Sequence, residues 1–179
     1  MASEQELLQR ALRFEPQALA AVYDLYSPGL YGYALRLLGQ PDAAEDCVAE
    51  TFNRFLQALR EGKGPRQSLK AYLYRMAHNW VTDRYRRMPP VVPLESELWA
   101  DEKPTPPEVL DRNTEAEYLR QALAQLTPEQ RQVIVLKYVE DWTNEEIALA
   151  LDKPVGAVKS LQHRALAALQ RILIKEDDR

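Results

Sequence analysis

Apolar and polar positions along the chain recur at helical spacing almost from end to end. The clearest case lies between Thr143 and Leu173. Thr143 followed three residues later by Glu146 is a capping box, and Ile147, Ala148, Ala150 and Leu151 make a short apolar face after it. Asp152-Lys153-Pro154 interrupts the period, because proline lacks a backbone donor and disfavours helix in the residue before it. From Val155 the period resumes, with Val158, Leu161, Ala165, Ala168, Leu169 and Ile172 on one side. Lys159, Ser160, His163 and Arg164 fall on the other side, early in that helix. A short helix, a sharp turn and a second helix with polar and basic residues near its start predict a helix-turn-helix. In that arrangement the second helix enters the DNA major groove by its N-terminal part. Two short amphipathic helices of a plain helical bundle would show the same periodicity, so pattern alone leaves both readings open.

The first half also predicts helices. One runs from about Glu4 to Phe14 and ends before Pro16. Leu19, Val22, Tyr23 and Tyr26, then Leu30, Tyr33, Ala34, Leu37 and Leu38, continue a face across Ser27-Pro28-Gly29, where a kink is favoured over a break. Gly39-Gln40-Pro41 punctuates. Ala43 to Leu59 then places Cys47, Val48, Thr51, Phe52, Phe55 and Leu59 inward, with acids Glu45, Asp46 and Glu50 elsewhere on the helix. Acids early in a helix complement its dipole, which accounts for them without any partner. After a basic loop from Glu61 to Gln67, Ser68 caps a helix reaching about Arg87. Leu69, Leu73, Met76 and Trp80 predict its core stripe, with Tyr72, Arg75, Asn79, Asp83 and Arg86 on an adjoining face. Helical pattern returns at Asn113 with Ala116, Leu119, Leu123 and Leu126. Thr127-Pro128-Glu129-Gln130 is a further capping box, followed by a broad apolar face of Val133, Ile134, Leu136, Tyr138 and Val139.

Composition bounds what such a chain does. It has 179 residues and few glycines, so one ordinary or two small helical domains are expected. Cys47 is the single cysteine, and with only His78 and His163 beside it no disulfide or zinc spacing exists. There is no phosphate loop, nucleophile pair or metal cluster, so neither an enzyme nor a cofactor is expected. No apolar run approaches the roughly 20 residues of a membrane span, and the N-terminal region carries Glu4 and Glu6 in place of a signal core; a cytoplasmic chain without membrane insertion is the expectation.

Net charge is −4, yet its distribution matters more than its mean. Arg60 to Arg87 holds eight basic residues against two acids, Met88 to Glu117 holds eight acids against two bases, and Lys153 to Lys175 has no acid. Two basic islands separated by an acidic segment suit two surfaces that meet phosphate. Six of the twelve prolines lie between Pro89 and Pro107, so that segment reads as an extended linker, with Val91, Val92, Leu94, Leu98 and Trp99 as apolar exceptions. On the helix ending at Arg87, aromatics among basic and amide groups suit a single nucleic-acid strand, although tyrosines that merely flank a core would read alike.

The segments DAAEDCVAETF, SLKAYLYRMAHNWVTDRYRR and LTPEQRQVIVLKYVEDWTNEEIA, followed by VKS and HRAL, resemble in the same order the RNA polymerase sigma factors of the extracytoplasmic-function (ECF) group of the sigma-70 family. The resemblance covers nearly all the chain outside the linker and tail. It implies an all-α fold of two domains on a flexible linker: residues 1–88 as sigma region 2, 89–112 as linker and 113–176 as the region 4 helix-turn-helix. It implies core RNA polymerase and promoter DNA as partners, together with an anti-sigma factor. Asp46, Glu50 and Phe52 match the family's polymerase-binding pattern. For the minus-ten element the implied residues are Lys63, Arg66, Tyr72, Arg75, Asn79, Asp83, Arg86 and Arg87. For the minus-thirty-five element they are Lys159, Ser160, His163 and Arg164. Ala49 stands where the family commonly has glutamine, Pro154 replaces a usual serine, Ala157 a usual threonine, and Leu161 a position often basic. The other reading is a helix-turn-helix regulator acting without polymerase, which leaves the first half unexplained.

Overall fold

Proline, glycine and capping side chains set the helix boundaries. The computed structural model describes the backbone of residues 3–87 and 107–177, and the side chains of 3–87 and 114–174. Among these residues there are eight helices and no strand: α1 (Glu4–Leu12), α2 (Pro16–Leu38), α3 (Pro41–Arg60), α4 (Leu69–Arg87), α5 (Pro107–Ala124), α6 (Pro128–Tyr138), α7 (Asn144–Leu151) and α8 (Val155–Asp177). Residues 88–106, including Val91, Val92, Leu94, Leu98 and Trp99, lie outside the described residues. An all-α fold in two helical parts is what the pattern predicts.

Pro16, Pro41 and Pro128 each stand in the first turn of their helix, where a missing N–H costs nothing. Pro28 sits inside one continuous α2, in agreement with the favoured reading of a kink over a break. Gly39 closes α2 in the left-handed region at φ 69°, which a side chain would strain. Beside Pro28, Gly29 allows a close approach, since a Cβ there would come within 2.6 Å of the Tyr74 hydroxyl. The helix around Asn113 starts earlier than its apolar pattern, at Pro107, so six residues assigned to the linker are helical. Proline at a first helical position explains the earlier start.

α1 to α4 pack around Leu30, Tyr33, Leu37, Phe55, Leu69 and Leu73, all at most 2% exposed. The six inward residues expected of α3 are all buried. α4 differs from expectation. Leu69 and Leu73 are buried, but Met76 and Trp80 are only half-buried, and Ala77, His78, Val81 and Thr82 take the buried places. The helix packs on two sides, so its buried surface is wider than one apolar stripe. α5 to α8 build the second part around Leu136, Trp142, Ile147, Val158 and Ala165. Tyr138 and Val139, expected on the apolar face of α6, are 53% and 40% exposed at its end. The two parts touch: Trp142 lies edge-on to Tyr74 with ring centroids 4.8 Å apart, and Lys70 meets Glu146 at 3.1 Å.

Candidate nucleic-acid interface

α7 and α8 are held by local chemistry. The Thr143 hydroxyl accepts from the Glu146 N–H at 3.2 Å while the Glu146 carboxylate accepts from the Thr143 N–H at 2.8 Å. α7 ends at Asp152 in the left-handed region, φ 54°, and α8 starts directly after Pro154. Gln162 donates to Asn144 at 2.7 Å, tying α8 to the start of α7. Val158, Leu161 and Ala165 face inward as the period requires. Lys159, Ser160, His163 and Arg164 are all exposed on the opposite side of the same two turns. The Ser160 hydroxyl donates back to the Gly156 carbonyl at 3.2 Å, so its oxygen is left as an acceptor for a partner.

The second cluster belongs to α4 and the loop before it. Ser68 caps α4 by accepting from the Ala71 N–H at 3.1 Å, and Glu4 adds a second cap by accepting from the Lys70 N–H at 3.0 Å. The Tyr72 hydroxyl reaches the Lys63 carbonyl at 3.4 Å and steadies the loop. Lys63 and Arg66 are exposed, and the Lys63 ammonium sits 2.9 Å from Glu61, which lowers the Glu61 pKa through that bond. Tyr72 and Arg75 line an open cleft of about 860 Å³ together with Arg66 and, across it, Glu145, Leu149 and Lys153. Asn79 is exposed one turn beyond Arg75. Asp83 is partly exposed and lies 3.8 Å from Arg86, a loose pair that positions more than it neutralises. Arg86 and Arg87 are exposed at the helix end. The expected face of Tyr72, Arg75, Asn79, Asp83 and Arg86 is therefore one continuous strip.

α3 separates its candidate residues. Asp46 is exposed, and Glu50 is bridged by Arg54 at 2.7 Å, which lowers the Glu50 pKa mainly through that hydrogen bond. Phe52 is 8% exposed on another side of the helix and packs on Tyr23 with ring centroids 4.8 Å apart. Its place is in the bundle, where it fixes the helix that presents the two acids.

The order of these parts has a known counterpart. Residues 22–88 match the family description "Sigma-70 region 2", and residues 116–169 match "Sigma-70, region 4". The chain is 37% identical over 164 residues to the ECF RNA polymerase sigma factor SigL of Mycobacterium tuberculosis, covering 89% of this chain and 90% of that one. The chain belongs to the ECF sigma factors. It is also 33% identical over 172 residues to the ECF sigma factor BldN of Streptomyces coelicolor, covering 94% of this chain and 65% of that longer one. Among solved structures, CnrH in complex with the cytosolic domain of CnrY shares the fold, with a TM-score of 0.70 and 22% identity over 96% of this chain and 97% of that one. The sigma factor RpoE of Bartonella quintana, in complex with the anti-sigma factor NepR, superposes with a TM-score of 0.54 and 25% identity over 88% and 94% of the two chains. ECF sigma factors are transcription initiation factors and not enzymes. No helix among the described residues of this sigma factor is long and apolar enough to cross a membrane.

Glu4, Lys70, Arg131 and Trp142 carry structural contacts of this sigma factor that the sequence pattern did not reveal. Only Trp142, a large apolar residue inside a polar turn, offered a signal. A buried arginine has none.

Proposed function

We propose that this sigma factor joins core RNA polymerase through the α3 surface of Asp46 and Glu50, with Phe52 anchoring that helix, and reads both promoter elements. Residues 1–88 serve polymerase binding and the minus-ten element, 113–176 serve the minus-thirty-five element, and 89–112 connect them. The observation that carries the reading is α8, which presents Lys159, Ser160, His163 and Arg164 outward while Val158, Leu161 and Ala165 fix its rotation. A bidentate guanidinium on guanine reads a base, and an ammonium on phosphate positions the helix; Arg164 and Lys159 divide these roles.

At the minus-ten element the task is different, because opening a duplex costs a few kcal/mol for each base taken out of the stack. Without ATP chemistry, that cost is offset by holding the extruded base and the separated strand. Tyr72 and Arg75 offer a stacking face and a cation in the cleft, and the Asn79 amide both donates to and accepts from a base edge. Lys63, Arg66, Arg86 and Arg87 neutralise phosphate along the same strip, with Asp83 orienting Arg86. An anti-sigma factor is the expected regulatory partner, supported by the complex of the related RpoE.

Run-off transcription with purified core enzyme tests this. Promoter-specific transcripts are expected from the full chain, with Asn79→Ala weak on duplex template and restored on a template mismatched open at the minus-ten segment. Tight sequence-specific binding to duplex DNA by the chain alone, with no run-off, would establish a regulator independent of polymerase; a net charge of −4 weighs against that result.

A further inference from the structure

α8 buries one polar side chain beside its apolar ones. Gln162 is 9% exposed, next to buried Leu161, on a helix whose inward face is otherwise Val158, Leu161 and Ala165. A buried amide costs stability unless it is hydrogen-bonded, and a leucine would fill the same place without that cost. Here the Gln162 Nε2 donates to the Asn144 Oδ1 at 2.7 Å, so the amide is held. Asn144 is the first residue of α7 and half-buried, and its side chain makes no other hydrogen bond among the described residues.

We propose that Gln162 is a positioning residue for the minus-thirty-five element: by occupying the Asn144 oxygen it turns the Asn144 amide nitrogen outward, where its two N–H groups hold a backbone phosphate. The proposal rests on the promoter-reading role of α8 given above. Helix geometry sets the direction. At about 100° per residue, Gln162 lies three residues along from Lys159 and about 60° around the axis from it. It therefore stands at the edge of the buried face nearest Lys159, and Asn144, bonded to it, flanks the exposed strip on that side. In a helix-turn-helix the first helix crosses the DNA backbone while the second enters the groove, and Asn144 opens that first helix. The amide thus extends the phosphate contacts on the Lys159 side and leaves base reading to Arg164.

An amide has two ends of opposite character. Its oxygen repels a phosphate and its nitrogen attracts one, and an unrestrained amide turns between them. The bond from Gln162 selects the attracting end before DNA arrives. Accepting that bond also polarises the Asn144 N–H groups, which strengthens what they donate. The two acids that follow are turned elsewhere: Glu145 lines the cleft shared with Tyr72 and Arg75, and Glu146 is engaged by Thr143 and Lys70.

The test uses holoenzyme assembled from core RNA polymerase and the full chain, with promoter affinity read by competition and stability by thermal melting of the free chain. Asn144→Asp keeps the oxygen that Gln162 engages and adds an acid at a helix start, so the midpoint should hold or rise. It sets a second oxygen against the phosphate, and affinity should fall about tenfold or more. Gln162→Leu frees the Asn144 amide to turn, so affinity should fall about two- to threefold while the midpoint holds. Adding Asn144→Ala removes the contact itself; that double variant should lose about tenfold without a drop in midpoint, since no buried amide is left unpaired. Promoter duplexes with single methylphosphonate linkages flanking the element then locate the contact: one linkage should weaken the wild type and leave the double variant unaffected. Wild-type affinity in Gln162→Leu overturns the positioning role. Wild-type affinity in Asn144→Asp overturns the phosphate contact, as does one linkage profile shared by wild type and double variant. Lys159→Ala combined with Arg164→Ala is the control. If that pair binds as wild type, the promoter-reading role of α8 fails and the proposal falls with it; loss in that pair alone overturns only the Asn144 contact.

Discussion

α4 and α8 both carry side chains proposed for DNA, yet the protein holds them in different ways. α8 packs along one side only, through Val158, Leu161 and Ala165, and its outer face is open. α4 is gripped from two sides. α2 and α3 cover one, Trp142, Pro128 and Arg131 cover the other, and the face proposed for DNA is the strip left between. The difference teaches that α8 can be altered with local consequences, whereas a change beneath α4 reaches stability, domain arrangement and DNA contact together.

The largest effect should come from the floor of α4. Phe55 is 1% exposed, with ring centroids 6.5 Å from Phe52 and 6.3 Å from Tyr72, so Phe55→Ala should cost about 3–5 kcal/mol of unfolding free energy. Denaturant titration measures this. A loss under about 1 kcal/mol would mean that the first half is not the tightly packed one.

Arg164→Ala should reduce promoter affinity by about 1–3 kcal/mol and relax preference at one base pair, with an unchanged denaturation midpoint. Footprinting and melting together check it. A drop in the midpoint would erase the contrast between the two helices. Tyr72→Ala, in comparison, should move both readouts.

Mild acid should act first on the α4 side, since the depressed carboxylates Glu50 and Glu146 lose their contribution only at lower pH. Burial, with Arg131 adding to it, lowers the His78 pKa from 6.5 to about 3, and the Pro128 carbonyl opposes the shift. Tyr33, Arg131 and Pro128 face the ring, with Cys47, Tyr85 and Glu140 affecting those neighbours. Above pH 6.5 the ring is neutral whether buried or released, and no dependence arises. Below it the released ring takes up a proton and the buried ring does not. Stability of the closed fold should therefore fall by up to about 1.4 kcal/mol per pH unit from there towards pH 3. Unfolding measured from pH 7.5 to 5 should show this slope, and His78→Gln should flatten it; equal slopes in both proteins would remove His78 as its origin.

The smallest effect concerns the caps of the second half. Thr143→Ala removes the hydroxyl that accepts from the Glu146 N–H, at about 1 kcal/mol. Thermal unfolding should register it, while Thr143→Ser should retain most of the stability.

Legibility in the sequence follows the same contrast. Capping boxes at Thr127 and Thr143 and the exposed start of α8 were readable because each depends on residues within a turn or two of one another. The inward face of α3 was readable because that helix buries a single apolar side. α4 misled, since a helix with two partners buries Ala77, His78 and Thr82, which carry no hydrophobic signal, and Met76 and Trp80 move to the edge. The arrangement of Asp46 and Glu50 on the outside of α3 agreed with the pattern, but Phe52 was both a core residue and a match to the polymerase-binding motif, and the structure places it in the core. Arg131 and Lys70 belong to a contact made across more than 45 residues of chain, which no local spacing encodes.

Cys47 carries a consequence of a different kind. Its thiol is wholly buried between α3 and α4, 3.8 Å from the Ala77 carbonyl, and burial pushes its pKa up to about 12. Peroxides and electrophiles react with the thiolate, which this site suppresses at any physiological pH. The folded protein is thus blind to oxidants through its one sulfhydryl. Modification of this thiol by an oxidant would first require the bundle around it to open.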